Sequence, residues 1–171
     1  MNMGGEKLEN RFIVIGLGSP IMTDDAVGLK VAQMIEDLHL PYVDTLQEAV
    51  GGLEILPMIH GYRYAIIADA IQTYQQNPGT IMIFDPDDFE ATVADAASHD
   101  VNMATALKIG RNMDPDIMPE HIRFVAIEVE DIQTMSETMT PRVEAAVEHA
   151  KDAVLYLIDQ LRCQDGPDRT S

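Results

Sequence analysis

The stretch "RFIVIGLGSPIMTDDAVGLKVAQMIEDL", residues 11–38, decides how the rest of the chain is read. Phe12 to Ile15 form an unbroken apolar run that ends in Gly16 and Gly18. That is the pattern of a short buried strand. Further on, Val27, Val31, Met34, Ile35 and Leu38 recur at the spacing of one helix face. Thr23 or Asp24 is placed to cap that helix. A strand that passes through a glycine turn into a helix is the repeating element of an α/β fold.

The same alternation continues outward. Residues 42–50, "YVDTLQEAV", read as a second strand, and "GGLEILPMI" as a short helix broken near Pro57. "RYAIIADAI" is a third and the most apolar strand, "NPG" a turn, and "TIMIFDP" a fourth strand. "FEATVADA" is a weak helix or a loop. "SHDVNMATALKIGRNM" is a helix with Ser98 at its N-cap position, and "IRFVAIEVE" a fifth strand. From Pro141, Val143, Val147, Ala150, Val154, Leu157, Ile158 and Leu161 mark one face of a long final helix with proline in its first turn. The expectation is a three-layer α/β sandwich, with a mostly parallel, twisted five-stranded sheet covered by helices on both faces. About a dozen residues without clear helical pattern separate the third and fourth strands, so these two are expected to form a hairpin, with one strand antiparallel. One α/β domain is expected over residues 11–163, flanked by disordered tails at 1–10 and 164–171.

Composition narrows the class of function. The formal net charge of -18, from 11 Lys+Arg against 29 Asp+Glu, disfavours a nucleic-acid partner and an anionic membrane surface. A hydrophobic share of 46% is that of a globular chain and not a disordered one. The single Cys163 excludes an intrachain disulfide and a cysteine-based zinc site. The polar start "MNMGGEKLEN" lacks the apolar core of a signal peptide, and no apolar run reaches the length of a membrane span. The expectation is a cytoplasmic monomer. The eleven methionines are scattered and read as packing residues.

The glycine loop invites a nucleotide-binding reading, which its residues refuse. A dinucleotide fingerprint needs a third glycine where this chain has Ile21, and no Gly-Lys-Ser/Thr follows as a P-loop requires. Asp24 and Asp25 stand instead at the helix start. In the plain reading they cap it and complement its dipole. A second acid, Asp69, lies at the carboxyl end of the third strand within "IIADAI". Ligands of open α/β sheets bind in the crevice at those strand ends. If strands one and three are neighbours, Asp25 and Asp69 come within reach of a shared ligand, because strand spacing is about 4.8 Å. Of five histidines, only His99 sits in a loop between the fourth strand and a helix. Two carboxylates alone suit acid/base work or a metal. With one imidazole they suit a borderline divalent ion such as nickel, zinc or iron.

Three separated motifs carry a resemblance. "IGLGSPIMTDDAVG", "IIADAI" and "SHDV" are similar, in order and spacing, to those of the nickel hydrogenase maturation endopeptidases. The chain departs from that pattern at Ser19, where the family usually has Asn. It departs also at Gln47, where an acid of a D-G-G-T-like turn would fall, and at Asn102-Met103, where Gly-Leu is common. The resemblance implies an endopeptidase that removes a C-terminal extension from a hydrogenase large-subunit precursor after nickel insertion. The cut would follow a basic or histidine residue beyond the last nickel-binding cysteine. Asp25, Asp69 and His99 would read nickel delivered with the substrate and serve catalysis, and Gly18, Gln47 and Gly51 would align the substrate. The chain has no G-x-S-x-G elbow and no H-E-x-x-H helix, which leaves metal-assisted hydrolysis or an aspartate general base. The alternatives are an α/β hydrolase acting on another substrate, a nickel-sensing chaperone that does not cut, and a domain whose aspartates are only caps.

Overall fold

The structure is a computed structural model that describes residues 8–94 and 98–165, with side chains over 11–94 and 102–165. Strand β1 (Leu8–Leu17) leads through a 3-10 turn (Thr23–Ala26) into α1 (Val27–Asp37). Then follow β2 (Val43–Glu48), a second 3-10 turn (Gly52–Ile55), α2 (Leu56–Ile59) and β3 (Tyr62–Ile71). The chain continues with β4 (Ile81–Phe84), α3 (Pro86–Val93), α4 (Ser98–Met113), β5 (His121–Glu128) and α5 (Pro141–Gln164). Asp85 caps α3, its carboxylate accepting from the Asp88 amide at 2.8 Å.

The sheet order is β2-β1-β3-β5-β4, and only β4 runs antiparallel. Successive residues of the inner strands point to opposite faces, so the apolar runs split between two cores. Phe12, Val14, Tyr64, Ile66, Val125 and Ile127 pack against α1 and α5. Ile13, Ile15, Ile67, Ile122 and Phe124 pack on the other side with Phe89 and Val93 of α3 and with Met103 and Leu107 of α4. Helices therefore cover both faces, as expected from the alternating pattern. Among the described residues no helix is long and apolar enough to cross a membrane.

The expected hairpin of the third and fourth strands is corrected. β5 lies between them, and β4 pairs with β5 through Ile81↔Ile127 to Phe84↔Phe124. The physical reason is burial. Every residue of β3 from Tyr64 to Ile71 is buried, so β3 needs a partner on each edge, and β1 and β5 supply them. β4, with Ile83 exposed, suits the sheet edge. Buried Glu128 of β5 secures the β3–β4 connection by accepting from the Thr73 amide at 2.8 Å and from the Thr73 hydroxyl. α5 runs to Gln164, and the residue after it is tied back to β3. Asp165 accepts a hydrogen bond from the Tyr64 hydroxyl and pairs with Arg63 at 3.2 Å.

Candidate active site

The glycine loop is a packing device. α1 begins where β1 ends and lies directly on the sheet. A Cβ on Gly28 would stand 2.4 Å from the Ala68 carbonyl oxygen and 2.5 Å from that of Leu17. A Cβ on Gly16 would stand 2.2 Å from the Gly28 oxygen. No side chain fits between those backbones, so the two glycines let the helix start sit across β1 and β3. Gly28 thus does the close-packing work of the third glycine in a dinucleotide loop, ten residues later than Gly18.

This seating brings the Thr23–Ala26 turn against β3. Gly16 of β1 is in register with Ala68 of β3, so Asp69 lies level with the end of β1. The condition set by the sequence is met: strands one and three are neighbours. Asp69 is 7% exposed, and its Oδ1 accepts from the Ala70 amide at 2.8 Å. Asp25 is half-buried, and its Oδ2 accepts from the Ser19 amide at 2.9 Å.

Asp25 lines an open cleft of about 410 Å³ together with Gly18, Ser19, Met22, Val50, Gly51 and Ile132. Gly18 and Gly51 therefore share this cleft with Asp25. Gln47 does not. Its exposed amide donates to the Gln33 side chain at 2.8 Å and lies near Glu36 of α1. In a strand, alternate residues face opposite sides, and Gln47 is on the side that meets α1. The side chain of His99 lies outside the described residues. Asn102, one turn further along α4, packs its Cβ 3.6 Å from the position a Cβ on Gly52 would take, next to the Gly51 wall of the cleft. Among the described residues no three His, Cys, Asp or Glu side chains converge as a metal site.

Asp24 is not the helix cap expected of it. It is fully buried. Its Oδ2 accepts from the amides of Glu130 at 3.0 Å and Asp131 at 2.9 Å, and its Oδ1 from the Thr140 amide at 2.7 Å. The Thr140 hydroxyl adds contacts at 2.9 and 2.8 Å. The partners lie in the loop between β5 and α5, over a hundred residues away, and no local pattern announces them. Ile132 of that loop, a wall of the cleft, escapes sequence reading for the same reason.

The result is a mostly parallel sheet with helices on both faces, Asp69 near the carboxyl end of β3 and Asp25 in an open cleft beyond the end of β1. The family described as hydrogenase maturation protease (HycI) matches residues 29–157, and the chain belongs to that family of endopeptidases. It is 30% identical over 148 residues to the hydrogenase 2 maturation protease of Escherichia coli (strain K12), spanning 85% of this chain and 88% of that one. The hydrogenase maturating endopeptidase HybD from E. coli matches with a TM-score of 0.77 at 28% identity, over 88% of this chain and 93% of its own. The [NiFe] hydrogenase maturation protease HybD from Thermococcus kodakarensis shares the fold, with a TM-score of 0.72 at 20% identity over 86% and 99% of the two chains.

Proposed function

We propose that this endopeptidase removes the C-terminal extension of a nickel-containing hydrogenase large-subunit precursor after nickel insertion, and that it recognises the substrate's nickel through Asp25, Asp69 and His99. The observation that carries this is the adjacency of β1 and β3, which places the Asp25 turn against the strand bearing Asp69. The donor set suits the ion: carboxylate and imidazole groups bind borderline divalent metals while leaving positions for the substrate's own ligands. A metal carried by the substrate can polarise the scissile carbonyl. The cleft between Ser19 and Gly51 takes the extended peptide. An aspartate carboxylate takes a proton from the attacking water as the new C–O bond forms, and that proton passes to the leaving amine as the C–N bond breaks.

The test is to incubate the purified protein with nickel-loaded and nickel-free precursor and weigh the large subunit by mass spectrometry. A single cut confined to the loaded precursor supports the proposal. Cleavage independent of nickel points to the other-hydrolase alternative. A nickel-dependent complex with unchanged precursor mass points to the chaperone.

A further inference from the structure

On the role given to Asp25 above, we propose that its neighbour Asp24 is a positioning residue, whose buried carboxylate sets the Asp25 turn and the opposite cleft wall in one fixed relation. A carboxylate withdrawn from water is tolerated only when hydrogen bonds replace its hydration. Asp24 has three backbone amides and a hydroxyl, all from the β5–α5 loop. The tie is reciprocal. The Asp24 amide donates to the Asp131 carbonyl at 2.9 Å, the Thr23 amide to the Ser136 carbonyl at 2.9 Å, and the Ser136 amide back to Ile21 at 2.9 Å.

Where these bonds converge argues for more than loop anchoring. They hold Thr23 at a φ of 52°, a left-handed conformation that a β-branched residue avoids unless its surroundings impose it. The Thr23 hydroxyl donates to the Thr134 carbonyl and keeps it there. The next two residues are Asp24 and Asp25. The loop held in this way contributes Ile132 to the same cleft that Asp25 lines. One carboxylate thus references both sides of the site to each other. If it is lost, Thr23 can relax, the turn rotates, and the Asp25 bond to the Ser19 amide goes with it.

The experiment compares Asp24→Asn, Thr140→Val, Thr140→Ser and Asp25→Asn, with thermal melting to establish folding. It reads kcat and KM on nickel-loaded precursor and amide hydrogen exchange at Ser19. Asp24→Asn places an amide group against backbone N–H donors. It is expected to lower kcat about 10- to 100-fold with little change in KM, since small misplacements near a reacting centre have effects of that size. Exchange at Ser19 should quicken about 10-fold while β3 amides stay protected. Thr140→Val should move both readouts in the same direction, and Thr140→Ser should restore them. If Asp24→Asn does not fold, Thr140→Val decides. Wild-type kcat per folded molecule and unchanged Ser19 exchange in the folded variants, with Asp25→Asn inactive, would overturn the proposal and leave Asp24 a structural tie. Wild-type processing by Asp25→Asn would instead remove the role of Asp25, and the positioning role with it.

Discussion

Asp24 and Asp25 are consecutive in one four-residue turn, yet one is fully buried and the other lines the cleft. A 3-10 turn advances about 120° per residue, which is enough to send neighbouring side chains to different surroundings. Asp69 is the third acid of this region and is held by its own strand. Asp69→Asn keeps its volume and one acceptor oxygen, so the fold should survive with its melting temperature shifted by only a few degrees. Processing should fall by at least about 100-fold, as expected for the loss of a group acting on the reacting atoms. Unfolding of this variant, seen by circular dichroism, would assign Asp69 to structure instead. Gly28→Ala should do the reverse. Its methyl group would meet two carbonyl oxygens, a clash of about 3 kcal/mol. In a domain of this size that lowers the melting temperature by about 6–12 °C.

At the scale of elements, the amino ends of three neighbouring strands are tied at one point. Arg11 of β1 and Tyr62 of β3 both bond Asp44 of β2, the Tyr62 hydroxyl donating at 2.7 Å. Burial pushes the Asp44 carboxyl up, but the bonds from Tyr62 and Arg11 outweigh it and hold the group below its ordinary value of 3.8. Burial and the bond to Asp44 push the Tyr62 phenol up from 10.0 to about 12. The signs follow. The phenol's stabilisation is complete below pH 10 and is lost as pH rises through about 12. That of Asp44 is present above pH 3.8 and is lost as pH falls through its lower folded value. Urea titrations from pH 9 to 12 should therefore show falling stability, with part of the slope absent in Tyr62→Phe. At pH 7 the same variant should lose about 1 kcal/mol, the net worth of one hydrogen bond. An unchanged alkaline slope would show that Tyr62 does not carry it.

Over the whole molecule, a net charge of -18 sets the native state against its own repulsion. Raising ionic strength from about 0.01 M to about 0.15 M shortens the screening length from about 30 Å to about 8 Å. The melting temperature should rise by a few degrees over that range, read by scanning calorimetry. A fall would mean that attractive pairs such as Arg63–Glu120 outweigh the repulsion. The sequence by itself determined the identity and order of the main elements, because apolar period and glycine placement are written among near neighbours. It also marked Asp69 as a candidate, since an acid at the carboxyl end of an apolar strand faces the crevice of such sheets, and Asp25 with it, in the turn that follows the first strand. Tertiary structure alone decided that β5 enters between β3 and β4, because that choice depends on which strand edges remain to be buried. It alone turned Gln47 toward α1 and made Ile132 a cleft wall. It also drew Asp24 to Thr140 across 116 residues of chain. Contacts at that separation come from the assembled sheet and its loops, and nothing in the local sequence announces them.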